Sequence, residues 1–208
     1  MNKILFWILI LLLCLGVVFA GIVIYEFSGT TVKKPAIYLY PTQDFQISVK
    51  LIVNGQITKT VPEYKNIWNV FATKEGVIEN KYDYLFYEAK LNKIKLPEEG
   101  WIIKYGDLES WLDTNLIKLG LNEKEKSQFK EYWLVELPKS NYYEIKLLEN
   151  SFLNENMQLS INPKPDIVIR LNFYFKPIKE EKVLEEPIIS TPQRNGFTVV
   201  EWGGILAE

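Results

Sequence analysis

The chain has no histidine, one cysteine and only two arginines, Arg170 and Arg194. Without histidine there is no Ser-His-Asp or Cys-His catalysis and no imidazole ligand for a metal. The one cysteine, Cys14, lies inside an apolar run. The rest of the chain therefore has no disulfide, no thiol nucleophile and no thiolate metal site. A hard, oxygen-bound cation such as calcium is the metal class left open, and no EF-hand-type acidic loop supports it. No metal and no cofactor is expected. The 24 basic and 26 acidic residues leave a net charge of −2. That balance lacks the basic footprint of a nucleic-acid binder. Catalysis would fall to carboxylates, lysine, tyrosine, serine or threonine.

What is present begins with residues 4–25, ILFWILILLLCLGVVFAGIVIY, which carry no charge and no proline. At ~1.5 Å per residue such a helix spans about 33 Å, the hydrocarbon thickness of a bilayer. Lys3 and the free amino terminus precede it, so residues 1–3 are expected in the cytoplasm and the remainder outside. Val18-Phe19-Ala20 offers a signal-peptide cleavage site, and a cleaved signal peptide is the alternative. Apolar sequence continues past it through Ile22-Val23-Ile24-Tyr25, which favours a retained single-pass anchor in the cell membrane.

Residues 26–34 read as a polar tether. A period of two then marks half-buried strands. Ile37 and Leu39 face one way, Tyr38 and Tyr40 the other. Ile47, Val49, Leu51 and Val53 form one face of the next strand. Asn54-Gly55 after it is a strong hairpin signal. Trp68 to Thr73 and the aromatic Tyr84 to Ala89 follow as strands. Between Asp107 and Leu119 the period changes: Leu108, Trp111, Leu112, Leu116 and Leu119 share a helical face. Asp107 reads as its N-cap and Gly120 as its C′ residue. Asn122 with Glu125 makes a capping box for a second helix. The two form a helical hairpin over about 107–136. Strands resume at Tyr142 to Leu148, Met157 to Ile161 and Asp166 to Phe175. Residues 176–195 read as a charged, proline-rich, solvated linker. Residues 196–204 read as a strand that packs back on a domain of residues 35–175, closed by Gly203-Gly204. The fold class is α+β: a mainly antiparallel sheet or sandwich with an inserted helical hairpin, preceded by one transmembrane helix.

Lys34-Pro35-Ala36-Ile37-Tyr38-Leu39-Tyr40-Pro41, Tyr84-Leu85-Phe86-Tyr87-Glu88, Leu119-Gly120-Leu121-Asn122, Tyr132-Trp133, Pro163-Lys164-Pro165-Asp166 and Gly196-Phe197-Thr198-Val199-Val200-Glu201-Trp202-Gly203-Gly204 resemble a single family. It is a family of bacterial proteins of unknown function, exported behind a signal sequence or membrane segment. The resemblance covers nearly all of residues 33–204. Tyr87 departs from it where tryptophan is common, and Val61 where tyrosine is common. The resemblance implies export and domain extent, with no activity, cofactor or catalytic residue.

Glu88 and Glu201 are the candidate catalytic carboxylates, because each sits in an aromatic strand where an acid must be partnered or functional. A glycan hydrolase needs two such groups, one with a raised pKa. The plainer reading is a buried ion pair, with Arg170 or Lys104 as partner, or a solvent-facing position. Tyr38, Tyr40, Tyr87, Arg170 and Trp202 are the binding candidates, since aromatic rings with a few polar groups suit sugar faces and interfaces. The leading expectation is a non-catalytic, extracytoplasmic binding or interaction module of the cell envelope. Its partners would be the membrane through residues 4–25, and envelope polysaccharide or another envelope protein. A carboxylate-based glycan hydrolase and a structural subunit of an envelope complex are the alternatives.

Overall fold

The computed structural model describes residues 29–207. The stub 1–3, the apolar run 4–25 and residues 26–28 of the tether lie outside the described residues. Strand β1 (Thr30–Tyr40) already occupies the rest of the tether, because Val32 is a core residue. It is followed by β2 (Phe45–Val53), β3 (Gly55–Val61), β4 (Trp68–Ala72), β5 (Leu85–Leu91) and β6 (Trp101–Lys104). Helices α1 (Leu108–Lys118) and α2 (Glu123–Glu136) form the expected hairpin. Then come β7 (Tyr142–Leu148), α3 (Asn150–Asn156), β8 (Met157–Asn162), β9 (Ile167–Ile178) and β10 (Thr198–Leu206). The short α3 and β6 carry too few residues for their periodicity to announce them.

The strands make two sheets, a seven-stranded one ordered β3-β5-β1-β10-β9-β7-β6 and a three-stranded one ordered β4-β2-β8. Every pairing is antiparallel except β9 with β10. Both faces of the large sheet are covered. Ile37, Leu39, Leu85 and Val199 pack against Ile47, Val49 and Trp68 of the small sheet and Phe152 of α3. Ala36, Tyr38, Val200, Trp202 and Phe173 pack against Leu112 and Leu116 of α1 and Phe129 and Trp133 of α2. The alternation of Ile37 and Leu39 against Tyr38 sorts those residues between the two cores, as the period of two requires.

Asn54-Gly55 does not make a hairpin. β2 belongs to the small sheet and β3 to the large one, so this dipeptide is the corner where the chain changes sheets. Gly55 has φ +149°, and a Cβ there would overlap the Lys90 carbonyl. The Asn54 side chain donates to Asn156 Oδ1 at 3.1 Å and accepts from Asn92 Nδ2 at 3.0 Å, which pins the corner between the layers.

β10 does more than pack back: it is the middle strand of the large sheet. Gly203-Gly204 does not close it, and the strand continues to Leu206. The glycines permit close approach instead. A Cβ on residue 203 would stand 2.8 Å from Asn172 Oδ1, and one on residue 204 would stand 2.8 Å from the Trp133 ring.

The hairpin joint is built as its sequence demands. Asn122 and Glu125 form the capping box, with bonds of 2.9 Å in both directions. Gly120, at φ +103°, donates to the Ile117 carbonyl while Leu121 donates to Leu116, the paired bonds of a Schellman end. Asp107 stands at the N-cap position of α1, but its side chain makes no capping bond.

The segment 179–197 between β9 and β10 is a strap, exposed along most of its length, as its charges suggest, but tied down at several points. Lys182 binds the buried Glu144 at 2.6 Å. The Gly100 N–H donates to the Glu185 carbonyl at 2.9 Å, and Ile189 packs on the helical-side core. Pro192 closes over Gly120. Arg194 donates to the Gly120 carbonyl at 2.7 Å and pairs with Glu125, which is fully buried.

Arg194→Met therefore strands the Glu125 carboxylate inside the protein. The expected loss is about 2–3 kcal/mol, below the ~3–5 of a fully buried pair because Arg194 keeps some exposure. Urea unfolding of Arg194→Met and of Arg194→Met with Glu125→Gln measures it, and the double variant should recover most of the loss. Acid sensitivity follows from Glu144. Burial alone would raise its carboxyl, but Lys182 and Lys146 overcome that and hold it below the usual range. A depressed folded pKa gives stability that is complete above the unfolded value of ~4.3 and lost as pH falls through the folded one. The melting temperature should fall more steeply below about pH 4 in the parent chain than in Glu144→Gln.

Candidate functional site

Each sequence-derived candidate has a definite place. Glu201 is fully buried between the two sheets. Arg170 Nε donates to it at 2.6 Å, Tyr87 Oη at 2.8 Å and Asn172 Nδ2 at 3.3 Å. Arg170 Nη2 also donates to the Met157 carbonyl at 2.6 Å, at the start of β8. Burial alone would lower the Arg170 guanidinium, but the Glu201 charge reverses this and raises it. Burial, then the charge of Glu201, pushes the Tyr87 phenol far up, so it stays a neutral donor. Of the two readings given to Glu201, the structure displays the ion pair with Arg170. Tyr38, Tyr87, Arg170 and Trp202 are likewise interior groups, and Tyr40 lies half-buried with the Arg194 guanidinium 5.8 Å from its ring centre. These five binding candidates are packing residues. The sequence could not say so, because both faces of their sheet are covered.

Glu88 lies elsewhere. Tyr87 points to the inter-sheet side, so the pleat turns Glu88 to the helical side of the large sheet. Glu88 and Glu201 occupy opposite faces and are not brought together. Glu88 lines a groove of about 530 Å³ that remains open because α2 covers β1, β9 and β10 but not β3 and the outer half of β5. Phe86 and Glu88 of β5 supply its floor. Lys59 and Val61 of β3, Lys81 to Tyr84 of the preceding loop, and Gln128 and Tyr132 of α2 supply its walls.

Lys34 enters the groove through a backbone irregularity. Three steps along β1 from Lys33 to Ala36 match two along β10 from Gly204 to Trp202, so β1 carries a one-residue bulge. Lys34 sits in it at φ +56°, a left-handed conformation unfavourable for a side chain of this size. The bulge turns Lys33 and Lys34 to the same face. Lys33 pairs with Glu136 at 2.8 Å. Lys34 Nζ donates to Tyr84 Oη at 2.9 Å and stands 4.9 Å from the ring centres of Tyr84 and Phe86 and 5.6 Å from that of Tyr132.

Core and groove are joined by a hydrogen-bonded line. Tyr38 Oη donates to Gln128 Oε1 at 2.7 Å, Gln128 Nε2 to Asp83 Oδ2 at 3.2 Å, and Lys124 to Asp83 Oδ1 at 2.8 Å. Lys124 holds the Asp83 carboxyl below the usual range, against a smaller opposing effect of burial. Burial, then the charges of Glu136 and Glu88, pushes the Tyr132 phenol up, so it stays neutral. The floor acid Glu88 makes no hydrogen bond or ion pair among the described residues. The arrangement offers ring faces, ammonium groups and two carboxylates, Asp83 already bonded to Lys124 and Gln128 and Glu88 without such partners, which suits binding. Asp83, held down by Lys124, is not the protonated acid that a glycan hydrolase needs.

A larger hollow of about 660 Å³ lies beside Gly29, Thr30, Ile94, Leu96 and Tyr174. It has Lys33 and Lys90 but only one aromatic and no carboxylate, so it offers fewer ring faces to a sugar. Among the described residues no cluster of acids has the geometry of a metal site. Lys34, Lys59, Lys81, Gln128 and Tyr132 were not singled out from sequence. The available signal was the run from Tyr82 to Glu88, whose alternate residues are aromatic, but its outer face cannot be told from its inner one without the fold.

Arg170→Met should cost about 3–5 kcal/mol in equilibrium unfolding, because it leaves Glu201 charged and unpaired in the interior. Arg170→Met combined with Glu201→Leu should return most of that, since apolar residues of similar volume commonly replace a buried pair without loss. Comparison with protein-family models, with curated proteins and with solved structures finds no match to this chain.

Proposed function

We propose that this chain is a membrane-anchored extracytoplasmic protein, and that its folded part is a non-catalytic binding module for cell-envelope polysaccharide. The apolar run 4–25, long enough to cross a bilayer, supports the anchor. Among the described residues no helix is long and apolar enough to cross a membrane. A helical span within this sequence would therefore fall to that run. The resemblance of its motifs to an exported bacterial family favours the same placement.

The observation that carries the binding reading is the open groove in which the half-buried Tyr84 and Tyr132 flank Glu88. Ring faces stack on the C–H faces of sugars, and an unpaired carboxylate accepts hydroxyls. The hydrolase reading is weaker because the other groove carboxylate, Asp83, is occupied by Lys124 and Gln128, and Glu201 is on the far side of the sheet.

The test uses the full chain in detergent micelles, sedimented with insoluble cell-wall polysaccharide while released reducing ends are assayed. The expected outcome is retention without release. Tyr132→Ala should weaken retention about tenfold, the equivalent of 1.4 kcal/mol and within the range of one lost ring contact. Glu88→Gln should leave reducing-end release at background. Release that Glu88→Gln abolishes would instead establish the hydrolase.

A further inference from the structure

We propose that the ligand of this groove is an acidic polysaccharide, whose carboxylate or phosphate groups meet the ammonium groups of Lys34, Lys59 and Lys81. This rests on the binding-module reading and adds the charge of the ligand. Lysines packed near α2 elsewhere are matched by acids: Lys33 by Glu136, Lys124 by Asp83 and Lys130 by Asp113. The three in the groove have no such partner among the described residues. They stand over rings instead, Lys34 over Tyr84 and Phe86, Lys59 at 5.4 Å from the Phe86 centre, and Lys81 at 5.0 Å from that of Tyr82.

An ammonium group over a ring has already given up part of its water, so an arriving anion finds less to displace. A compact ammonium charge suits a carboxylate or a phosphate equally. Lys34 adds an independent sign. Its left-handed backbone is unfavourable, and strain of that kind persists where a side chain must be delivered to one place. Here the bulge delivers it to the centre of three rings. Glu88 then narrows the class. It repels an anion set against it and accepts hydroxyls, so the fitting chain alternates acid groups with neutral sugar hydroxyls. A chain of net charge −2 has no general attraction for polyanions. A preference for an acidic polymer would come from a local cluster such as this one.

The test measures binding of the full chain in detergent micelles to four soluble polymers: polygalacturonate, its fully methyl-esterified form, dextran phosphate and dextran. The acidic polymers should bind at least about tenfold more tightly than their neutral counterparts, and the preference should fade as salt rises from about 0.05 to 0.5 M. Lys59→Gln with Lys81→Gln, both exposed positions, should remove most of the preference without lowering the melting temperature. Polygalacturonate and dextran phosphate distinguish the two sources of negative charge. Equal binding of neutral and acidic polymers, or a preference untouched by the double lysine variant, overturns the inference while leaving the binding module standing. Failure of all four to bind, with wall polysaccharide also unbound, overturns both and transfers the groove to a protein partner.

Discussion

The Arg170–Glu201 pair holds the two sheets in register, and the rest of the structure depends on it. Removing two charges from water costs several kcal/mol per ion, so the pair is tolerated only because its remaining valences are filled. Glu201 accepts from Arg170, Tyr87 and Asn172, while Arg170 reaches on to the Met157 carbonyl. Those contacts tie β10 to β9 beside it, to β5 two places away, and to β8 in the other sheet. A slip of β10 by one residue would turn Glu201 into the helical-side core, among Trp133 and Phe173 and without a donor. The charge therefore sets register where the apolar residues on both faces of β10 would not.

Arginine usage follows the same logic. Each of the two arginines reaches a glutamate with no solvent exposure, Arg170 to Glu201 and Arg194 to Glu125. A planar guanidinium can serve a carboxylate and a carbonyl at once, as both do here, whereas an ammonium is a point charge better suited to a wet surface. Most lysines hold exposed or half-exposed positions, although Lys146 is buried and donates to the Pro97 and Glu98 carbonyls. The second pair fixes the strap across the joint of the helical hairpin, which closes the helical layer over Trp202 and Phe173.

Local features were legible in the sequence for local reasons. Alternation in β1, β2 and β9 sorted their residues correctly between two faces, and the capping box and Gly120 fixed the hairpin within a residue or two. Features decided by distant pairing were not. Asn54-Gly55 has the composition of a hairpin, yet Leu51 pairs with Leu159 and Gln56 with Lys90, so the strands it joins diverge into different layers. The strap is exposed along most of its length, as its charges suggested, but its anchorage was not legible, because Lys182 and Arg194 find acids 38 and 69 residues away. The candidate site suffered from the same limit. Aromatic residues were correctly identified as abundant, but Tyr38, Tyr87 and Trp202 are covered by a second layer, while Tyr84 and Tyr132 are left at its margin. Only Glu88 was found in advance, because an acid in an aromatic strand is conspicuous whichever face it takes.

The position of the groove follows from the mismatch between layers. Two helices cover the central strands of a seven-stranded sheet and stop short of β3 and β5, so one corner of the helical face stays open. That corner receives Lys34, nine residues after the end of the apolar run at Tyr25. Nine residues reach at most ~32 Å when fully extended. If residues 4–25 cross the membrane as proposed, Lys34 can lie no farther than that from the bilayer surface. A polymer held there would run close to the membrane and not deep in the wall. The bulge that lifts Lys34 into the groove lies in the same strand that begins at the anchor side, so load on a bound polymer would pass along β1. That strand is hydrogen-bonded on both sides, to β5 and to β10, which is the placement best able to resist being peeled from an edge.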